Sequence, residues 1–148
     1  MKSKAANEVT LEFPSRSSNE GFARSAAACF AAQMDPTMDE LGDIKTAVSE
    51  AVTNCIVHAY PNDIGEITVR ARILPDNVLD LMIKDRGRGI RDVELARKPM
   101  YTTGGIERSG MGFTIMESFM SDLKVNSQAG KGTTVHMKRK IVRRGDRS

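Results

Sequence analysis

The chain has 148 residues, 40% of them hydrophobic and 28% charged, which suits one core of ordinary domain size and excludes global disorder. The formal net charge of +3 is modest, no apolar run is long enough to span a bilayer, and no apolar stretch follows Met1-Lys2-Ser3-Lys4 as a secretory leader would require. A cytoplasmic protein with no membrane partner is expected, and without tryptophan its core must rest mainly on aliphatic side chains.

Val9, Leu11 and Phe13 alternate with polar residues and predict a strand, which Pro14 ends. Ser17 with Glu20 has the spacing of a capping box. It opens a helix whose apolar stripe would be Phe22, Ala26, Cys29 and Phe30, broken at Asp35-Pro36. Thr37 with Glu40 is a second capping box. The stripe Leu41, Ile44, Val48, Ala51, Val52, Cys55 and Ala59 then predicts a long helix, stopped at Tyr60-Pro61. Both cysteines fall in apolar helical patterns and read as buried small hydrophobes.

Ile67 to Ile73 and Leu79 to Ile83 alternate around a turn at Pro75-Asp76-Asn77, the pattern of a hairpin. A short helix is possible over 92–97. Met100 to Gly110 is polar, glycine-bearing and without period, as in a loop. A helix over 112–120 carries Phe113, Met116 and Met120 on one side. Leu123, Val125 and Ser127 then pair with Thr133, Val135 and Met137 across Gly130-Lys131-Gly132. The expected architecture is a two-layer α/β sandwich, its sheet mixed but mostly antiparallel and its helices on one face. It would fill 1–148 as a single domain with flexible ends at 1–7 and 139–148. Lys138, Arg139, Lys140, Arg143, Arg144 and Arg147 make the last stretch basic. No aromatic residue interleaves them, so a solvated terminus is expected and direct nucleic-acid binding is not.

Three short patterns carry possible chemistry. Glu50, Asn54 and His58 recur every four residues, a drift of about 40° per step, so they share one polar edge of an otherwise apolar helix. A plain solvated helix face would look the same. An amide oxygen nevertheless suits magnesium, and a carboxylate one turn away can deprotonate a hydroxyl; His58 reads as a helix-end residue. Asp85-Arg86-Gly87-Arg88-Gly89 leaves a strand. The glycines let backbone approach a planar ligand, and the aspartate can accept a hydrogen bond from an exocyclic amine, although a simple glycine-rich turn has the same pattern. Ser109-Gly110-Met111-Gly112 opens a helix, where free N–H groups and the dipole favour an anion. Arg108 beside it can clamp a phosphate, Thr102 and Thr103 can line the loop, and Thr133 or Thr134 can support Asp85.

Taken in order, Glu50-x-x-x-Asn54, Asp85-x-Gly87-x-Gly89, Gly110-x-Gly112 and Gly132-Thr133-Thr134 resemble the four boxes of the GHKL ATPase/kinase superfamily. The runs 35–41, 49–54 and 107–117 further resemble the sporulation anti-sigma-F factors, serine kinases of the anti-sigma class, over roughly Val9 to Met137. The resemblance implies the Bergerat-type ATP-binding fold, ATP and Mg2+ as cofactors, and a homodimer. It also implies two partners: an RNA polymerase sigma factor held inactive, and an anti-anti-sigma factor phosphorylated on serine. Under it Glu50 is the general base, Asn54 the Mg2+ ligand, Asp85 the adenine contact and Arg108 a γ-phosphate contact. Gly87, Gly89, Thr103, Ser109, Gly110, Met111, Gly112, Thr133 and Thr134 surround the nucleotide, and Arg24 belongs to the partner-binding surface. The loop 102–107 departs from the family by being about one residue shorter and richer in glycine. Two alternatives stand beside this reading: a nucleotide-gated sigma-binding module without kinase activity, and an anti-sigma kinase of the general stress-response branch.

Overall fold

The computed structural model describes residues 5–90 and 112–142. Strand β1 (Asn7–Pro14) is followed by helix α1 (Ser18–Ala31), a 3-10 turn (Ala32–Met34) and helix α2 (Met38–Asn54), which runs into a π-helical turn (Cys55–Ala59). Strands β2 (Glu66–Leu74) and β3 (Val78–Asp85) come next, then helix α3 (Gly112–Phe119) and strands β4 (Asp122–Gln128) and β5 (Gly132–Lys140). The strands form one sheet in the order β1-β2-β3-β5-β4. Every neighbouring pair is antiparallel, so the mixed character expected of the sheet is absent among the described strands. The long connection after β3 reaches the far edge at β4, and the β4–β5 hairpin then brings β5 back against β3, so each pairing stays antiparallel.

One face of the sheet carries the core. Ile67, Val69 and Ala71 of β2, Leu79, Leu81 and Ile83 of β3, and Val135 and Met137 of β5 are buried together with Ile44, Val48 and Val52 of α2 and Met116 of α3. Helix α2 is the central element, packed against α1 on one side and α3 on the other. Its start follows the sequence: the Glu40 N–H donates to Thr37 Oγ1 at 3.0 Å and the Thr37 N–H to Glu40 Oε1 at 2.8 Å, a reciprocal cap. Such caps are worth about 1 kcal/mol.

Helix α1 corrects its expected phase. Ser17 makes no side-chain cap and is itself helical, while Glu20 pairs instead with Arg24 at 3.6 Å. The buried face is Ala23, Ala27, Ala28, Phe30 and Ala31, whereas Phe22 is 59% exposed and Cys29 is exposed too. Alanines at i, i+4 and i+8 let α1 approach α2 closely, and that close approach outweighs burial of the larger residues one position away.

The other sheet face is polar, as strand alternation dictates. Across it run Glu8, Arg72, Asp80, Lys138 and Asp122, one from each strand and alternating in charge. Asp80 is only 2% exposed and accepts from Arg72 at 2.7 and 2.9 Å. The basic end is structured further than expected. Arg139 donates to Asp43 at 2.6 Å and to the Phe119 carbonyl at 2.7 Å, and Ile141 is fully buried. Asn77, at φ +58 in the β2–β3 turn, secures that end by donating to the Met34 and Ile141 carbonyls at 3.1 and 2.8 Å. No helix among the described residues is long and apolar enough to cross a membrane.

Candidate functional site

The polar edge of α2 and the start of α3 meet. Glu50 and Asn54 are half-buried on α2, and α3 begins above them. A methyl placed on Gly112 would stand 3.1 and 3.2 Å from the Asn54 amide and 3.4 Å from Glu50 Oε2. Glycine at this position therefore lets a helix N-terminus sit directly on the acid–amide pair. His58 lies in the π-helical turn that continues α2, and such turns recur at functional sites.

Asp85 ends β3 and is 5% exposed. Its Oδ1 accepts the Gly87 N–H at 2.9 Å and the Thr133 N–H at 3.2 Å. Register accounts for the second contact, since Thr133 is the cross-strand partner of Asp85 on β5. Alternation places Thr134, paired with Lys84, on the opposite polar face, so of the two threonines only Thr133 joins Asp85. Burial raises the Asp85 pKa from its ordinary value, and hydrogen bonds from the Gly87 N–H, the Cys55 thiol and the Thr133 N–H counter part of that rise.

The glycine-rich exit is held by the chain itself. A side chain at Gly87 would overlap the Ala59 carbonyl, and one at Gly89, where φ is +75, would overlap the Gln128 carbonyl. The Arg88 N–H donates to Ala59 O at 3.1 Å, and the Gly130 N–H to Arg88 O at 2.6 Å. The loop is thus clamped between the end of α2 and the β4–β5 turn. A pocket of about 430 Å3 opens on the Ala59–Asp63 side of Arg86-Gly87-Arg88.

Three contributors were not singled out from the sequence. Tyr60 donates its hydroxyl to Glu66 O at 2.8 Å and accepts the Arg86 N–H at 2.7 Å, fixing where the glycine run begins. Ser127 Oγ accepts the Ile90 N–H at 2.7 Å and lies 2.7 Å from Thr133 Oγ1. Cys55, one residue beyond Asn54, is buried, and that burial together with the nearby Asp85 charge raises its thiol pKa.

Thr102, Thr103, Arg108, Ser109, Gly110 and Met111 lie outside the described residues, as do the helix expected over 92–97 and the arginines at 143, 144 and 147. Arg24 is apart from the cluster, half-exposed on α1 and paired with Glu20. Among the described residues no group of three or more His, Cys, Asp or Glu side chains could hold a metal. A single amide oxygen at Asn54 suits an ion that keeps several waters and leans on phosphate oxygens.

Comparison with known proteins bears on this arrangement. Residues 13–139 match the family described as Histidine kinase-like ATPase domain. The chain is 57% identical over 138 residues to the Anti-sigma F factor of Caldanaerobacter subterraneus subsp. tengcongensis, covering 93% of this chain and 96% of that protein. It is 54% identical to the Anti-sigma F factor of Geobacillus kaustophilus over 93% of this chain and 94% of that one. Among solved structures, the RsbU and RsbW domains of a Mycobacterium tuberculosis protein superpose with a TM-score of 0.68 at 19% identity, covering 92% of this chain and 33% of that chain. A histidine kinase domain from Erythrobacter litoralis superposes at 0.58 with 20% identity, over 82% of this chain and 61% of that one. At these identities the structural likeness speaks for the fold alone.

Proposed function

The chain belongs to the anti-sigma F factor family of histidine kinase-like ATPase domains, and from that premise we propose an ATP-dependent anti-sigma factor. It binds and inhibits a sporulation RNA polymerase sigma factor of the F type, and it phosphorylates an anti-anti-sigma partner on serine. The observation that supports this reading most is the convergence of Gly112, Asn54 and Glu50 at one point, with Asp85 at the neighbouring strand end. A helix start suited to phosphate, an amide suited to Mg2+ and a carboxylate suited to a hydroxyl proton stand within contact of one another.

Bound ATP with Mg2+ supplies the phosphoryl group and neutralises the triphosphate charge. Asn54 would hold the metal through its amide oxygen. Asp85 would accept a hydrogen bond from the exocyclic amine of adenine. Arg108 and the backbone amides of Gly110 to Gly112 would hold the γ-phosphate, and Thr103, Ser109 and Met111 are assigned to nucleotide binding. Glu50 takes the proton from the incoming serine hydroxyl as the serine oxygen bonds to the γ-phosphorus and the bond to the β–γ bridging oxygen breaks, releasing ADP. The chain acts as a homodimer, and Arg24 belongs to the partner-binding surface.

The test is phosphoryl transfer from labelled ATP to a purified serine-bearing partner. Transfer is expected with the wild-type chain and is lost in Glu50→Ala while ATP binding persists. Absence of label on the partner, or equal labelling by Glu50→Ala, would sink the kinase reading.

A further inference from the structure

The apolar face of β3, β5 and β4 ends in a polar row. Ile83, Val135 and Val125 lie side by side across the three strands, as do Leu81, Met137 and Leu123. At the end of the same face stand Asp85, Thr133 and Ser127. Three polar groups lie within hydrogen-bond reach of Ser127 Oγ: the Ile90 N–H at 2.7 Å, the Gly132 carbonyl at 3.1 Å and Thr133 Oγ1 at 2.7 Å. A hydroxyl has one proton and two lone pairs. The Ile90 N–H can only donate and the Gly132 carbonyl can only accept. Ser127 therefore gives its proton to Gly132 O and takes the Ile90 N–H on one lone pair. All three contacts are hydrogen bonds only when the other lone pair takes the Thr133 hydroxyl proton. Gly132, at φ +104 and with no room for a side chain against the Asp85 carbonyl, keeps the receiving carbonyl in place. Thr133 Oγ1 is left with lone pairs alone, beside the Asp85 carboxylate that already accepts two backbone N–H groups.

We propose that Ser127 is a positioning residue for base recognition: by taking the Thr133 hydroxyl proton it makes the Asp85–Thr133 edge an acceptor-only surface, matched to a purine that presents an amine and opposed to one that presents a carbonyl. The inference rests on the nucleotide reading above and adds to it a residue on β4, two strands from Asp85. A serine that only tied the β4–β5 turn to Ile90 would influence every nucleotide alike. A serine that sets the direction of the Thr133 hydroxyl changes the choice between amine and carbonyl, and does so only through Thr133.

The experiment measures binding of ATP and of inosine triphosphate, which carries a carbonyl in place of the 6-amino group, by calorimetry with the full chain. Wild type, Ser127→Ala, Ser127→Thr, Thr133→Val and the Ser127→Ala/Thr133→Val double variant are compared, with thermal unfolding to show that each is folded. In Ser127→Ala the Thr133 hydroxyl is free to turn and donate. ATP affinity should fall about three- to ten-fold, the loss of one hydrogen bond, while inosine triphosphate affinity holds or rises. Ser127→Thr, which keeps a hydroxyl, should restore the ratio of the two affinities to within about two-fold. Once Thr133 is valine, Ser127→Ala should change that ratio no further. Unchanged ATP affinity in Ser127→Ala, equal losses for both nucleotides, or the same loss of ratio in the Thr133→Val background would overturn the positioning role. Failure of the wild-type chain to bind ATP would instead overturn the nucleotide reading beneath it.

Discussion

Gly112→Ala separates stability from function at the point where α3 meets α2. The new methyl would lie 3.1 and 3.2 Å from the Asn54 amide, closer than ordinary van der Waals contact, and 3.4 Å from Glu50 Oε2, at the edge of it. Asn54 must give by a few tenths of an ångström. No left-handed φ is needed at Gly112, so the backbone accepts alanine, and alanine favours a helix over glycine by up to about 1 kcal/mol. Stability should therefore hold or rise. A displaced metal ligand should lower Mg-ATP affinity about ten- to a hundred-fold, the usual range when a ligand's support is disturbed and equal to about 1.4–2.7 kcal/mol. Titration of ATP with and without Mg2+, beside a urea unfolding curve, reads both quantities. Gly42→Ala is the control, because nothing lies within 4 Å of its added methyl on the exposed side of α2. It should stabilise the fold by about 0.5–1 kcal/mol and leave ATP binding alone. Unchanged Mg-ATP affinity in Gly112→Ala would refute the placement of nucleotide against Asn54.

Other outcomes follow from contacts elsewhere in the fold. Asn77→Ala leaves the buried Met34 and Ile141 carbonyls without their amide donor and should cost about 2–3 kcal/mol in denaturant unfolding. Arg139→Ala unpairs Asp43 and the Phe119 carbonyl at the end of α3 and should cost about 1 kcal/mol, read by the same assay. Burial lowers the His136 pKa below 6.5, so the folded state binds fewer protons than the unfolded state between that lowered value and 6.5. Stability should rise with pH across that window and be lost as pH falls through it, and His136→Gln should flatten the slope in unfolding curves taken at several pH values.

Much of this was legible in the sequence because it is local. Thr37 and Glu40 announce the start of α2, and the spacing of Ile44, Val48 and Val52 marks its buried face. The alternation in β2, β3 and β5 separates core from polar face residue by residue. Helix α1 departs from its expected phase because its packing surface is built from alanines, which hydrophobic size alone undervalues beside Phe22 and Cys29. The glycines of Asp85-x-Gly87-x-Gly89 also sit where another segment's carbonyl comes close, Ala59 for one and Gln128 for the other. Spacing along the chain carries no information about such distant neighbours. The same is true of Asp80, a strand aspartate buried beneath two arginines.

The central claim is that nucleotide governs capture of a sigma factor. Its most direct test is the equilibrium affinity of the purified chain for an F-type sigma factor, measured with Mg-ATP and without nucleotide, for wild type and Asn54→Ala. Tight binding is expected only when wild type has Mg-ATP, and weak binding by Asn54→Ala under both conditions. Equal sigma affinity with and without nucleotide would contradict it.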